Sequence, residues 1–286
     1  MFHSLINGKN KYINPDAVLI LSAGKGERLK PITNFIPKPL IDIEGVPVFA
    51  FSLFLAYKAG FREFIVNTHH LAEILEEKLK ELGEKKKIEF KIIREKELLG
   101  TGGTIKYVFE KFKYQKILVM NSDVICDADI ESFIKSWKIS DSIAHIMVKE
   151  GEPGGVEVDE KSGKVKRIYG EGKGGKFTFT GIHLVKNEIK NYLEGEIPLC
   201  IVRKGYSKIL NEDKENISFF IHDGLFFDIG TPERLNRVRE TIRIMMKKEK
   251  EKEKDSLSPT EKRFYNFFAL VKSFLYENEN EQNSIA

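Results

Sequence analysis

Only two cysteines occur in the 286 residues. Cys126 and Cys200 are far apart and show no Cys-x-x-Cys spacing, which argues against a disulfide framework or a zinc site and leaves free, mostly buried thiols. No uninterrupted apolar stretch approaches membrane-spanning length, and Met1-Phe-His-Ser-Leu-Ile-Asn7 lacks a basic start followed by an apolar signal core. No membrane contact is therefore expected, and a cytoplasmic protein is. The net charge of +4 is small against 47 basic and 43 acidic residues, so charge gives no reason to expect a nucleic-acid partner. Two phosphate-binding loops are also missing. The dinucleotide fingerprint needs a third glycine where this chain has Leu29, and the ATPase loop needs Gly-Lys-Ser/Thr where it has Gly26-Glu27-Arg28.

What is present begins with a 41% hydrophobic content, enough for a packed core, in a chain near the size at which one core stops growing. One large domain with appendages is expected. Ala17 to Leu21 is a short apolar run of the kind that forms a strand buried on both faces. It empties into a turn in which Gly24 and Gly26 permit positive φ and close approach of a ligand, so that amide N–H groups can converge on an anion. Arg28 adds a forked cation. Lys38 lies between Pro37 and Pro39, whose rings restrain the backbone that aims it. Two cations beside a nest of amides suggest a polyphosphate.

Further along, apolar runs alternate with helical periodicity. Val46 to Gly60 reads as a helix ended by Gly60, Phe64 to Asn67 as a strand, Leu71 to Leu82 as a helix, and Ile88 to Ile93 as a strand. Gly100-Thr-Gly-Gly103 precedes a helix from Thr104 to Phe112, and Lys116 to Met120 is a strand ending at Asn121-Ser122-Asp123. This alternation predicts an α/β fold: a Rossmann-like three-layer sandwich around a mostly parallel mixed sheet, with a C-terminal helical extension. Ligands of such sheets bind beyond the carboxyl ends of the strands, where Asp123 would lie. Adjacent histidines such as His69 and His70 cannot converge on one ion as an i,i+4 pair can, so helix-start hydrogen bonding or packing is the expected role.

Taken together, Ala23-Gly24-x-Gly26-x-Arg28-Leu29-x-Pro31-x-Thr33-x-x-x-Pro37-Lys38-Pro39-Leu40 resembles the signature of the sugar-1-phosphate nucleotidyltransferases, in particular their mannose-1-phosphate guanylyltransferase and N-acetylmuramate-1-phosphate uridylyltransferase branches. The resemblance implies an enzyme that joins an NTP, GTP or UTP, to a sugar 1-phosphate and releases pyrophosphate. It implies that Ala23, Gly24 and Gly26 bind the nucleotide, with Arg28 and Lys38 catalytic. Thr101 and Gly102 would meet the base through backbone groups, although alone these glycines also read as a plain turn. Asp123 and Asp228 would hold Mg²⁺, a hard cation usually bound by one or two carboxylates plus substrate phosphates. Read alone, Asp123 is also a plausible turn former or cap. Gly155, Thr180 and Gly181 match positions beside the sugar. Many relatives carry Glu-Lys-Pro before that strand, with the lysine on the sugar phosphate; this chain has Tyr169-Gly-Glu-Gly-Lys173-Gly-Gly-Lys176, which leaves that role unassigned.

The expected organisation is a main domain over residues 1–246, a charged linker or helix extension over 247–258, an amphipathic helix over 259–276 and a frayed tail over 277–286. Ser258-Pro-Thr-Glu261 makes a capping box before an apolar stripe of Phe264, Phe267, Phe268, Val271, Phe274 and Leu275. That stripe suits docking on the chain's own domain, and also a partner or homo-oligomer contact. The acyltransferase β-helix carried by some relatives has no counterpart, since no hexapeptide repeat occurs. Two other classes would read differently. A nucleotide-sugar sensor would be expected to lack one of Arg28, Lys38, Asp123 and Asp228, and a glycosyltransferase of related fold would show Asp-x-Asp where this chain has Asn121-Ser122-Asp123.

Overall fold

The computed structural model describes residues 15–140, 142–151, 154–169, 174–212, 217–251 and 256–277. The run Ala17-Val-Leu-Ile-Leu21 forms strand β1 (Ala17–Leu21), which sends Val18 and Ile20 into one core and Ala17 and Leu19 into another. Burial on both faces accounts for the lack of polar residues in it. A small ribbon, β2 (Asp42–Ile43) with β3 (Val46–Pro47), precedes α1 (Phe49–Lys58), β4 (Glu63–Thr68), α2 (Ala72–Lys86), β5 (Glu89–Arg94) and α3 (Gly100–Phe112). Then come β6 (Lys116–Asn121), β7 (Val124–Cys126), α4 (Ile130–Ser140), β8 (Ala144–Glu150), β9 (Val156–Asp159), β10 (Lys164–Ile168) and β11 (Phe177–Lys186). The chain continues through α5 (Ser207–Glu212), β12 (Ile217–His222), β13 (Phe226–Asp228), α6 (Pro232–Lys250) and α7 (Pro259–Tyr276).

Among the described residues, nine strands form one sheet in the order β5-β4-β1-β6-β11-β8-β12-β10-β9. Neighbours β5, β4, β1 and β6 are mutually parallel, and only β11 and β10 run against the remaining seven. Helices α1, α2, α4, α6 and α7 bury their apolar residues in the core on one face, while α3 and α5 bury theirs on the other. The expected three-layer α/β sandwich is therefore the fold. β7 and β13 stand apart from the sheet as a separate two-stranded ribbon.

Several elements differ from their sequence reading for identifiable reasons. Val46 and Pro47 belong to the β2–β3 ribbon, turned at Glu44 (φ 53°) and Gly45 (φ 89°), so α1 begins only at Phe49. Helix α3 begins at Gly100 rather than Thr104, because the segment around Leu199 pairs with its start: Gly102 N–H donates to Leu199 O at 2.8 Å, and Leu199 N–H donates to Leu99 O at 2.8 Å. Strand β12 had no counterpart in the sequence reading. Helix α6 runs unbroken past residue 246.

The capping box of α7 forms as expected, with Glu261 N–H donating to Ser258 Oγ at 3.2 Å and Ser258 N–H to Glu261 Oε2 at 2.8 Å. The apolar stripe of α7 is buried against the chain's own domain. Phe267 and Phe268 pack on Phe51 at 6.1 and 5.9 Å, and Phe274 packs on Tyr57 at 4.8 Å. That face is consequently not available for a homo-oligomer contact.

Candidate active site

The site is built where parallel strands end. In register, Leu21 of β1 faces Asn67 of β4 on one side and Asn121 of β6 on the other. Cross-links secure these ends: Ser22 N–H donates to Asn67 Oδ1 at 2.7 Å, and Ser122 Oγ donates to Leu21 O at 2.7 Å. Beyond them opens a cleft of about 320 Å³, walled by Ala23, Gly24, Gly26, Arg28, Lys38, Leu98, Gly100, Thr101, Asp123 and Gly230, among others. A larger, more open groove of about 670 Å³ lies between α2 and β5. Its walls carry no residue of the long signature, whereas the cleft gathers residues from both ends of the chain.

Local structure explains the signature's spacing. Gly26 has φ 65°, and a methyl group there would lie 2.6 Å from Thr33 Cγ2. The Thr33 hydroxyl donates to Gly26 O at 2.9 Å, and Leu29 N–H donates to the same carbonyl at 2.8 Å. Thr33 thus clamps the turn that presents Gly24 and Arg28. At Gly24 a methyl group would meet nothing within 4 Å, which leaves that backbone open to the cleft. His70 Nε2 bonds Thr33 O at 2.6 Å and His69 Nδ1 bonds Glu95 O at 3.0 Å, so the two imidazoles brace different loops.

Charges converge across the mouth of the cleft. Lys38 is ion-paired with Asp123, the two side chains being 14% and 28% exposed. Asp228 lies opposite Val124 in the β7–β13 ladder, next to Asp123 in the chain, and Ile229 N–H donates to Asp123 O at 3.2 Å. The sequence separation between Asp123 and Asp228 is thus bridged by a ribbon three residue pairs long. A methyl group on Gly230 would lie 2.8 Å from Asp228 Oδ1 and 3.0 Å from Arg28 Nη2, so both side chains flank that glycine. Arg234, which sequence reading did not select, donates to both oxygens of Asp228 at 2.9 and 3.1 Å.

These two carboxylates suit a hard divalent cation. They offer oxygen donors alone, both are partly open to solvent, and no third acid, cysteine or histidine joins them among the described residues. The remaining positions would fall to substrate phosphates and water, the usual arrangement for Mg²⁺.

Other expected contacts fall differently. Thr101 lines the cleft, but its hydroxyl accepts from Ile201 N–H at 3.0 Å. Gly102 is buried with its N–H on Leu199 O, so that amide is not available to a base; Leu98 and Gly100 form the wall instead. Gly100, at φ 77°, has no room for a side chain, since a methyl group would lie 2.5 Å from Leu199 O. Among the sugar candidates, Thr180 is buried with its hydroxyl donating to Met147 O at 2.9 Å, and Gly181 abuts the Asn121 side chain. Gly155 accepts from Tyr169 N–H at 2.6 Å. None of the three lines the cleft. Residues 170–173 of the glycine-rich segment lie outside the described residues.

Glu95 is a site residue that sequence reading missed. It is 5% exposed in the cleft wall and accepts from Asn67 Nδ2 at 2.8 Å, Thr104 Oγ1 at 2.6 Å and Leu99 N–H at 2.9 Å. Its carboxylate ties β4 to the start of α3. Its position just past β5 is the same strand-end signal that singled out Asp123.

The family model for nucleotidyl transferases matches residues 17–244 of the chain. The chain is 29% identical over 231 residues to the N-acetylmuramate alpha-1-phosphate uridylyltransferase of Neisseria meningitidis serogroup B, covering 77% of this chain and 96% of that protein. It is 34% identical over 156 residues to the mannose-1-phosphate guanyltransferase beta-B of Xenopus laevis, but spans only 43% of that protein's length. Among solved structures, HddC from Yersinia pseudotuberculosis, also solved with GMP-PN, is 26% identical with TM-scores of 0.66 and 0.65, covering 78% of this chain and 98% of that one. A UDP-glucose pyrophosphorylase with UDP-glucose shares the fold at 17% identity, with a TM-score of 0.68 over 81% of this chain and 99% of that one.

Proposed function

The chain belongs to the nucleotidyl transferase family, and from that premise we propose that it makes a nucleotide sugar and pyrophosphate from an NTP and a sugar 1-phosphate. The observation that carries this reading is that Arg28, Lys38 and Asp123 line one cleft beside the Gly24–Gly26 turn, with Asp228 flanking Gly230 of its wall.

A sugar 1-phosphate is largely ionised near neutral pH, so its oxygen can attack the α-phosphorus without a strong general base. Alignment and charge then do the catalytic work. Arg28 and the exposed backbone at Gly24 hold the β- and γ-phosphates that depart as pyrophosphate. Lys38 neutralises charge at the transferred group, moving from Asp123 to phosphate oxygen. Asp123 and Asp228 are the residues that would hold Mg²⁺, which when bound supplies charge neutralisation to the phosphates. Leu98, Gly100 and Thr101 form the wall for the base, stiffened from behind by Glu95.

GTP is the preferred donor in this reading and a mannose- or heptose-type 1-phosphate the acceptor, supported by the Xenopus enzyme's name and the GMP-PN complex of HddC. A UTP-dependent reaction on an amino-sugar or glucose 1-phosphate is the second reading, favoured by the likeness to the Neisseria uridylyltransferase over 96% of that protein's length.

Purified protein with Mg²⁺, each of the four NTPs and a panel of sugar 1-phosphates provides the test, read as pyrophosphate release. Release that requires one NTP, one sugar phosphate and the metal together is expected. Nucleotide-sugar binding without release from any pair would overturn the proposal in favour of a catalytically silent sensor.

A further inference from the structure

Helix α7 lies beyond the 17–244 span matched by the family, yet it packs on Phe227, the residue before Asp228, and bonds Asp127, one residue past β7. Those carboxylates depend on the β7–β13 ribbon, which has three register pairs and no hydrogen-bonded neighbour in the main sheet. An isolated two-stranded ribbon is marginally stable in water, so its register must be held by what packs on it. At one end Asp123 lines the cleft and Asp228 flanks Gly230 of its wall, and Ile229 N–H closes on Asp123 O at 3.2 Å. At the other end both strands run into Arg263 of α7.

Arg263 Nε donates to Asp127 Oδ2 at 2.5 Å, one residue past β7. Its Nη2 donates to Asp223 Oδ1 at 2.9 Å, just ahead of β13. Asp127 is only 3% exposed, and its second oxygen lies 3.4 Å from His222 Nε2. A buried carboxylate of this kind holds its cation firmly, because losing the partner would strand a charge away from water. Next along α7, Phe264 is fully buried and meets Phe227, the residue before Asp228, edge-on at 5.6 Å. Phe267, Phe268 and Phe274 fix the rest of the helix to α1.

We propose that α7 is a clamp for the catalytic ribbon, in which Arg263 ties together the two strands and Phe264 seats Phe227, so that Asp123 and Asp228 stand as one metal-binding pair. Arg263 touches no reacting atom. It is a positioning residue, and the inference rests on the proposed function in taking Asp123 and Asp228 as the metal ligands.

The test measures Mn²⁺ binding by electron paramagnetic resonance with a non-hydrolysable GTP or UTP analogue present, alongside metal-free binding of that analogue and thermal unfolding. Supporting residues behind a metal site typically change its affinity by 10- to 100-fold. For Arg263→Gln the lower end applies: Mn²⁺ affinity should fall about tenfold, while metal-free nucleotide affinity stays within about twofold. Arg263→Lys should recover part of the loss, since a point charge replaces a two-pronged fork.

Unchanged Mn²⁺ affinity in a folded Arg263→Gln protein overturns the clamp, as does an equal loss of metal-free nucleotide binding. If that variant does not fold, Asp223→Asn and Phe264→Leu carry the test. Asp223 is 83% exposed, so its loss strands no buried charge; either variant should weaken Mn²⁺ binding, and neither doing so overturns the clamp. A wild-type protein that binds no Mn²⁺ with any analogue overturns the metal pair itself. The two failures are therefore distinguishable.

Discussion

Arg234 grips Asp228 through both carboxylate oxygens, at 2.9 and 3.1 Å, from the first turn of the helix that Asp228 leads into. With Lys38 on Asp123, each proposed metal ligand is paired with a cation of the protein itself. A divalent cation must displace or share these partners, which makes metal binding dependent on phosphates that can receive them.

Arg234→Ala should accordingly lower the Mg²⁺ concentration needed for half-maximal turnover. The pair is 32% and 26% exposed, so it is worth no more than about 1 kcal/mol and the shift should not exceed about fivefold. A metal titration of the steady-state rate decides this. A rise in the requirement would show that Arg234 assists the metal-bound state.

In the proposed reaction Arg28→Ala removes a donor to the charge that develops on the departing phosphates. Turnover should fall roughly 10²- to 10³-fold with thermal stability retained, since Arg28 is an exposed residue. Single-turnover kinetics on the folded variant are the check, and an unchanged rate removes Arg28 from the mechanism.

The two glycines of the opening turn should respond differently. Gly26→Ala forces a side chain into left-handed backbone and against Thr33, and should cost about 2 kcal/mol of stability. Gly24→Ala meets no atom within 4 Å, so stability should stay within about 0.5 kcal/mol while the added methyl group narrows the proposed phosphate site and raises KM for the NTP. Urea denaturation and steady-state kinetics on both variants separate the two roles.

His145 and His183 set an acid limit on stability. Burial pushes the pKa of each down to about 3. Both stay neutral in hydrogen bonds, His145 with Ser218 and Ser136 hydroxyls at 2.6 and 2.8 Å and His183 with Tyr206. Their unfolded pKa is near 6.5, so stability is full above that pH. As pH falls toward 3 the unfolded chain binds protons that the folded one refuses. The loss should approach about 1.4 kcal/mol per pH unit for each histidine below pH 6. Urea unfolding at pH 7.5, 6 and 5 measures this, and a flat profile would contradict neutral burial.

Asp127 acts in a lower window. Burial alone would raise its pKa, but the His222 imidazole 3.4 Å away and the hydrogen-bonded Arg263 guanidinium outweigh that and hold it below the usual carboxylate range. Its stabilising contribution is therefore present above about pH 4 and lost as the carboxylate protonates below that. Asp127→Asn should flatten the acid side of the stability profile without changing its slope between pH 6.5 and 5.

The opening signature was legible because its physics is local. Thr33 and Leu29 both donate to Gly26 O across a few residues, and the strand that presents this turn announces itself by being apolar throughout. The end of β6 was legible too, which placed Asp123, while Asp228 and the metal role of both came from the resemblance to the nucleotidyltransferase signature. Glu95 carries the same strand-end signal, but its role depends on Asn67, Thr104 and Leu99 arriving around it. Gly102 shows the opposite failure: its spacing suggests an open amide, and a carbonyl nearly a hundred residues later fills it.

The amino-acid sequence by itself therefore determined the alternating α/β layers and the glycine turn, set by short-range periodicity and backbone freedom, while the charged groups were singled out by the resemblance of the long signature. Only the tertiary structure decided which of those groups meet. The β7–β13 register places Asp228 beside Asp123, Lys38 and Arg234 occupy the two carboxylates, and α7 closes on its own domain through Phe267, Phe268 and Arg263. The physical reason is that, apart from the local Arg234–Asp228 pair, these contacts join residues 85 or more positions apart. Local spacing carries no information on such pairings, which follow from how the two cores pack.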